Sequence, residues 1–151
     1  MGRRELREQI FKLLFRVEFN EMEDMPEQEK LFFEEEENVA SEKDEQYILK
    51  KYGDIVSKLE EIDEMINKEA KGWETGRMGK VDLTLIRLAV YEIKFDDDIP
   101  TGVAINEAVE LAKIYDDDAA PAFINGILNQ IARKKGLIQD GSVQSTDGEV
   151  Q

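Results

Sequence analysis

The chain has 151 residues, 41% of them hydrophobic, and a formal net charge of −15, which favours one globular domain with a heavily charged surface. It contains neither Cys nor His, which excludes disulfide frameworks, thiolate nucleophiles, imidazole bases and the usual Cys- or His-ligated metal sites. No apolar run reaches the roughly 18–20 residues that a membrane span needs, and the basic N-terminus lacks the apolar stretch of a signal peptide. We therefore expect a soluble, cytoplasmic protein.

The charge is unevenly distributed along the chain. Residues 1–16 carry five basic and two acidic side chains, a surplus of +3 that leaves −18 for the remainder. Residues 18–45 hold 13 acidic and two basic side chains, a run typical of a solvated surface. The basic N-terminal end suggests a phosphate-bearing partner, and the acidic remainder of the chain suggests a basic protein partner.

The first 30 residues contain one predicted helix and one predicted loop. Leucine, isoleucine and valine side chains recur at helical spacing over residues 3–19. Phe11, Phe15 and Phe19 form a second stripe on this helix, so one stripe can face something other than the core. Residues 20–30 are polar and contain a proline stop, and we expect a loop there.

The next predicted helix is the longest, and a short helix anchored by residues 31–33 precedes it. Ser41, followed three residues later by Asp44, is typical of a helix N-terminus. The apolar spacing after it predicts one unbroken helix as far as a linker at 72–81. The single tryptophan, Trp73, is expected to plug the core beneath this linker.

Three more helices are predicted in the second half. Asp82 is expected to cap a helix that is apolar on most faces and therefore central and buried. The next helix begins at Thr101 or Gly102 and ends near Tyr115. The last spans residues 121–135, where continuing apolar spacing favours a helix over the hairpin that Asn-Gly also permits.

These elements predict an all-α fold of about seven helices, with a single domain over residues 1–136 and halves of about 1–71 and 80–136. Residues 137–151 lack periodicity, Lys and Arg, and are predicted to form a disordered tail. Neither acidic triplet between helices has the ligand spacing of a calcium loop, and no phosphate-binding glycine loop is present. The sequence therefore predicts a protein that is not an enzyme and needs no metal or cofactor.

The basic first helix is the main functional candidate. Its cationic side chains can pair with RNA phosphates while an exposed aromatic ring stacks on a base. These cations are Arg3, Arg4, Arg7, Lys12 and Arg16. Charge alone equally permits a merely solvated helix face.

Four motifs follow one another in the second half of the chain. They are Arg87-Leu88-Ala89-Val90-Tyr91-Glu92-Ile93, Ile99-Pro100, Ala104-Ile105-Asn106-Glu107-Ala108-Val109-Glu110-Leu111-Ala112-Lys113 and Phe123-Ile124-Asn125-Gly126-Ile127-Leu128. An arginine-rich opening at residues 3–8 and a connector with Trp73 and Arg77 complete the pattern. Over residues 3–132 the chain resembles the NusB family of transcription antitermination proteins.

The resemblance implies an all-helical protein of two small bundles that performs no chemistry. It implies binding of the boxA element of ribosomal-operon leader RNA together with the small ribosomal protein NusE. The pair would help to load an antitermination complex onto RNA polymerase. Whether the free protein forms a homodimer stays open.

The resemblance also implies contact residues. The implied RNA-binding residues are Arg3, Arg4, Arg7, Lys12, Phe15, Tyr115, Phe123 and Asn125. The implied partner-binding residues, on the second bundle, are Asp82, Arg87 and Glu107. The chain departs from the family pattern at Glu5, Asp116 and Ala119-Ala120, so that Asp118 would have to cap the last helix.

Two other functions stay open. A NusB-like domain also occurs fused to RNA cytosine methyltransferases, so the chain could be an RNA-binding fragment related to them, although it lacks their catalytic cysteine. The other alternative is a helical protein-interaction adaptor without specific RNA binding.

Overall fold

The computed structural model describes residues 1–35, 40–70, 72 and 74–134. Within these ranges the chain forms seven α-helices, three short 3₁₀ helices and no β-strand, which confirms the predicted all-α class. The α-helices are α1 Arg3–Phe15, α2 Met25–Glu35, α3 Glu42–Ser57, α4 Leu59–Glu69, α5 Lys80–Phe95, α6 Thr101–Tyr115 and α7 Ala120–Lys134. The 3₁₀ helices are Arg16–Phe19, Met22–Asp24 and Thr75–Arg77. None of the helices in the described ranges combines the length and the apolarity that crossing a bilayer requires.

The chain divides into two compact units, Met1–Lys58 and Leu59–Gln151. In the first unit α1 packs against α3, and the 3₁₀ helices that follow α1 pack against α2. In the second unit α5, α6 and α7 pack against one another, and α4 packs against α5 and α7. The division lies between residues 58 and 59 and not in the linker at 72–81 that the sequence indicated.

The long helix predicted after Ser41 is wrong at Lys58, where α3 ends and α4 follows at once. The Ser57 hydroxyl donates to the Asp54 carbonyl at 2.7 Å, and the Lys58 N–H donates to the Ile55 carbonyl at 2.9 Å. These short-range bonds end the α-helical pattern. The apolar repeat continues across this break. Its residues before Lys58 are buried in the first unit, and its residues after Lys58 are buried in the second.

Other helix starts show which local signals are reliable. Ser41 is confirmed as the N-cap of α3, since its Oγ accepts a hydrogen bond from the Asp44 N–H at 3.1 Å. Pro26 lies in the first turn of α2 instead of in a loop, because a missing N–H costs nothing there. The N-cap of α5 is Gly79, so Asp82 lies in the first turn and is not the cap.

The last helix is confirmed as α7, and the Asn-Gly pair lies within it. Gly126 is exposed, and a Cβ added there would meet no atom within 4 Å. Gly53, in the middle of α3, has the same open surroundings. The predictions for Trp73 and for residues 137–151 lie outside the described residues.

Gly53→Ala and Gly126→Ala are each expected to raise the free energy of unfolding by about 0.5–1 kcal/mol. Alanine restricts the unfolded chain and favours the helix, and the open space at both positions accommodates its methyl group. Urea denaturation followed by circular dichroism measures the change. A loss of stability in either variant would contradict this description of that helix.

Candidate nucleic-acid and partner surfaces

Two exposed arginines occupy the start of α1. The Gly2 N–H donates to Glu5 Oε1 at 2.9 Å, and the Leu6 N–H donates to the Gly2 carbonyl at 3.0 Å. Arg3 and Arg4 follow this cap directly and are exposed. Glu5, at a position where the resemblance implied arginine, is therefore the residue whose carboxylate caps the helix.

The same end of α1 is tied to the start of α3. The Met1 amino group donates to Asp44 Oδ2 at 3.1 Å, and this bond is the main reason why the pKa of Asp44 lies below its usual value. Because Ser41 caps α3 beside it, the ends of both helices are held by hydrogen bonds. Arg3 and Arg4 are thus presented from an ordered backbone.

Arg7 does not share this exposure. It precedes the buried Ile10 and Phe11 by three and four residues, so it lies on the packed side of the helix. Only 7% of Arg7 is accessible to solvent. Arg7, one of the cations expected to reach RNA phosphates, is therefore not presented to solvent as Arg3 and Arg4 are.

Arg16 is engaged within the first unit and does not extend the cationic surface. Its Nη1 donates to Gln28 Oε1 at 3.2 Å, and its Nη2 forms an ion pair with Glu35. Its guanidinium carbon lies 5.2 Å from the centre of the Phe32 ring, within cation–π range. These contacts hold the segment after α1 against α2, and a phosphate contact from Arg16 stays a prediction.

Lys12 and Phe15 are both partly exposed. The Phe15 ring centre lies 6.1 Å from that of Phe11, which is buried, and 5.0 Å from that of Phe19, which is exposed. The predicted phenylalanine stripe is therefore a row of contacting rings that leads from the core to the surface. Phe15 lies in the middle of this row.

The remaining predicted RNA residues belong to the second unit. Tyr115 ends α6, Phe123 lies in α7, and both are half-buried. Asn125 is exposed, and its side-chain oxygen accepts a hydrogen bond from Asn129 Nδ2 at 3.1 Å. The predicted RNA residues are thus divided between two compact units.

Two aspartates shape the loop between α6 and α7. Asp117 Oδ1 accepts hydrogen bonds from the N–H groups of Ala119 and Ala120, each at 3.0 Å. Asp116 Oδ1 accepts a hydrogen bond from the Asp117 N–H at 2.9 Å. Asp117, and not Asp118 as predicted, therefore prepares the start of α7.

Asp82 of α5 forms a carboxyl pair with Asp116 of this loop. Burial raises the pKa of Asp82 to about 7, with smaller contributions from the hydrogen bond and charge of Asp116 and from the charge of Asp117. Asp82 Oδ1 and Asp116 Oδ2 are buried, and no donor in the described ranges reaches either of them. The raised pKa of Asp82 favours a proton on its carboxyl group, and this proton supplies the donor for its hydrogen bond with Asp116.

Arg87 is paired inside the second unit. Its Nε and Nη2 donate to Asp63 Oδ1 and Oδ2 at 2.8 and 2.7 Å, and its side chain is only 11% exposed. This bidentate pair between α4 and α5 supplies the partner that a largely buried guanidinium requires. A contact from Arg87 to another protein stays a prediction.

Glu107 lies on an outer stripe of α6 that sequence reasoning missed. The stripe consists of Val103, Glu107, Glu110 and Ile114, spaced four, three and four residues apart. Val103 and Ile114 are exposed, at 44% and 62%. The two glutamates within this stripe were the signal that would have separated it from the core, because the buried stripe of α6 has the same spacing and contains no charged residue.

The order of these helices and motifs can be compared with known proteins. The NusB family profile matches residues 4–133. The chain belongs to the NusB family. The transcription antitermination protein NusB of Agathobacter rectalis is 52% identical over 132 residues, which cover 87% of this chain and all of that protein.

Solved NusB structures share the fold. NusB of T. maritima matches with a TM-score of 0.76 and 33% identity, over 89% of this chain and 92% of that one. A crystal structure of the antitermination factors NusB and NusE with double-stranded RNA matches with a TM-score of 0.72 and 29% identity, over 87% of this chain and 96% of that one. The carboxyl pair contains Asp116, one of the positions at which the chain departs from the pattern that its resemblance to the NusB family implied.

Asp82→Asn is expected to flatten the dependence of stability on pH. Because the pKa of Asp82 is raised from 3.8 to about 7, the folded protein binds more protons than the unfolded chain between these values. The contribution of Asp82 is complete below about pH 3.8 and is lost as the pH rises through about 7. Asparagine stays neutral and can donate to Asp116. The free energy of unfolding of the variant should therefore rise relative to that of the wild type as the pH rises.

Urea denaturation at several values from about pH 5 to about pH 8 measures this difference. Asp118→Asn is the matched control, since Asp118 is exposed in the same loop. Parallel profiles of unfolding free energy against pH for the wild type and Asp82→Asn would contradict the raised pKa of Asp82.

Asp63→Ala is expected to lower the free energy of unfolding by about 1–3 kcal/mol, because it leaves the guanidinium of Arg87 poorly compensated. The double variant Asp63→Leu with Arg87→Met should lose less unfolding free energy than the sum of the losses in the single variants Asp63→Leu and Arg87→Met. Thermal and urea denaturation measure both, and additive losses would contradict a coupled pair.

Proposed function

We propose that this chain is a transcription antitermination factor that binds boxA leader RNA together with NusE. Through these contacts it joins the antitermination complex on RNA polymerase during transcription of ribosomal operons. Membership of the NusB family supports this role, as do relatives named transcription antitermination proteins. We expect it to act in the cytoplasm by binding and not by catalysis.

The exposed pair Arg3 and Arg4 is the observation that carries the RNA proposal. Guanidinium groups pair with phosphate oxygens through two parallel hydrogen bonds, and the start of a helix adds a favourable dipole for anions. The cap at Gly2 and Glu5 holds both arginines at that start. Lys12 and Phe15 would extend the RNA surface along the first unit.

In the second unit, Tyr115, Phe123 and Asn125 are proposed as further RNA contacts. Asn125 offers an exposed amide, while Tyr115 and Phe123 keep part of their rings accessible for stacking. Arg7 is left out of the primary surface because it is buried.

The outer stripe of α6 is proposed as the NusE surface. The carboxylates of Glu107 and Glu110 lie between exposed Val103 and Ile114, which suits a basic protein with apolar anchors. Asp82 lies in the same unit and is proposed to contribute. Self-association through this stripe is the competing outcome.

RNA binding by this chain alone should be weak and sensitive to salt, because few cations act within a net charge of −15. A basic partner that covers part of the acidic surface lowers the repulsion of RNA. NusE is therefore expected to tighten the binding of boxA RNA and to have a smaller effect on scrambled RNA.

The double variant Arg3→Glu with Arg4→Glu is expected to weaken boxA RNA binding by about tenfold or more, since two phosphate contacts become repulsive. The salt dependence should fall by about 1.4 in the slope of log affinity against log salt, about 0.7 for each lost contact to single-stranded RNA. Fluorescence anisotropy with labelled RNA, with and without NusE, measures both quantities.

Lys30→Glu with Lys43→Glu is the matched control, because both lysines are exposed in the same unit and the net charge changes equally. This control should bind RNA almost as the wild type does, and both variants should bind NusE normally. Equal RNA losses in the two variants would overturn the assignment to α1. Indifference of boxA binding to sequence and to NusE would favour an adaptor without specific RNA recognition.

A further inference from the structure

The connection between α1 and α2 exposes two large apolar side chains within four residues of the chain. Phe19 is 59% exposed and Met22 is 48% exposed, and they lie three residues apart. They are two of five large hydrophobic residues that are exposed within the described ranges. Two large exposed apolar side chains in one short connection indicate an interaction site more strongly than a single isolated one.

This connection is ordered by hydrogen bonds and burial. Asn20 Nδ2 donates to the Arg16 carbonyl at 2.9 Å, and the Asp24 N–H donates to the Glu21 carbonyl at 2.9 Å. Arg16 is itself fixed to α2, and Met25 is buried at the other end. A partner would therefore meet Phe19 and Met22 in place, with little backbone to order on binding.

Carboxylates surround these two side chains along the chain. Glu21 and Glu23 flank Met22, Asp24 follows, and all three acidic residues are exposed. Residues 17–35 carry eight acidic side chains and one basic side chain. Such a surface repels nucleic acid and attracts a basic polypeptide.

We propose that Phe19, Met22, Glu21, Glu23 and Asp24 form a docking surface for a basic polypeptide segment with an apolar anchor. The anchor would cover the exposed ring and thioether, while lysine or arginine side chains pair with the carboxylates around them. None of these five residues is assigned above to RNA or NusE, and this acidic–aromatic surface borders the proposed RNA residue Phe15, whose ring centre lies 5.0 Å from that of Phe19. It would give the protein a further polypeptide contact in addition to these two.

The test uses the full chain and a fluorescent peptide that repeats Lys-Leu-Leu-Lys, with binding followed by anisotropy. Phe19→Ser and the double variant Glu21→Gln with Glu23→Gln should each weaken peptide binding by about tenfold. Tyr47→Ser is the control for the ring, because Tyr47 is an exposed aromatic residue of the same unit. Glu60→Gln with Glu61→Gln is the control for charge, because both carboxylates are exposed.

The controls should change the affinity for the peptide by less than about twofold. Equal losses of peptide affinity in the variants and their controls would mean that the peptide responds only to the overall negative charge, and would overturn the proposal. The absence of peptide binding would overturn it as well. Sedimentation in which Phe19→Ser abolishes a dimer would identify a second copy as the occupant instead. The double variant Glu21→Gln with Glu23→Gln leaves the contact between Phe15 and Phe19 intact, so its boxA RNA affinity should not fall. A loss of boxA RNA affinity in this double variant would assign the surface to nucleic acid and overturn the proposal.

Discussion

The hydrogen bond from the Gly2 N–H to Glu5 Oε1 is the local constraint on which the proposed RNA surface depends. It sets where α1 begins and therefore places Arg3 and Arg4 at the positive end of the helix, in solvent. A glutamate within a basic opening segment looks unfavourable for binding a polyanion. Its carboxylate is nevertheless occupied with the helix end, so it orders the two cations that precede it.

The chain uses other cations to assemble its two units. Arg16 holds the segment after α1 to α2, and Arg87 joins α5 to α4 through Asp63. A strongly acidic protein has many carboxylates with which a largely buried guanidinium can pair. Such pairing offsets part of the free-energy cost of removing the charge from water. Not every cationic residue of the sequence therefore contributes to a cationic surface.

The carboxyl pair of Asp82 and Asp116 shows the opposite use of charge. Two like groups are brought together where burial removes water, and burial raises the pKa of Asp82 to about 7, which favours its protonated form and lowers the repulsion between the two. The pair joins the loop before α7 to α5, close in the chain to Tyr115. Neighbouring Asp117 supplies the cap that starts α7, so three acidic residues from two elements organise this end of the second unit.

Spacing within one or two helical turns was enough to predict the all-α class, the cap at Ser41 and the helix around Gly126, because these depend on neighbours along the chain. The motifs of the second half were likewise enough to indicate the NusB family. The break at Lys58 and the burial of Arg7 could not be predicted, because an apolar repeat does not reveal which unit buries it. Only the tertiary structure decided the pairing of Arg87 with Asp63, 24 residues away, and of Asp82 with Asp116, since both arise where separate helices and loops pack together.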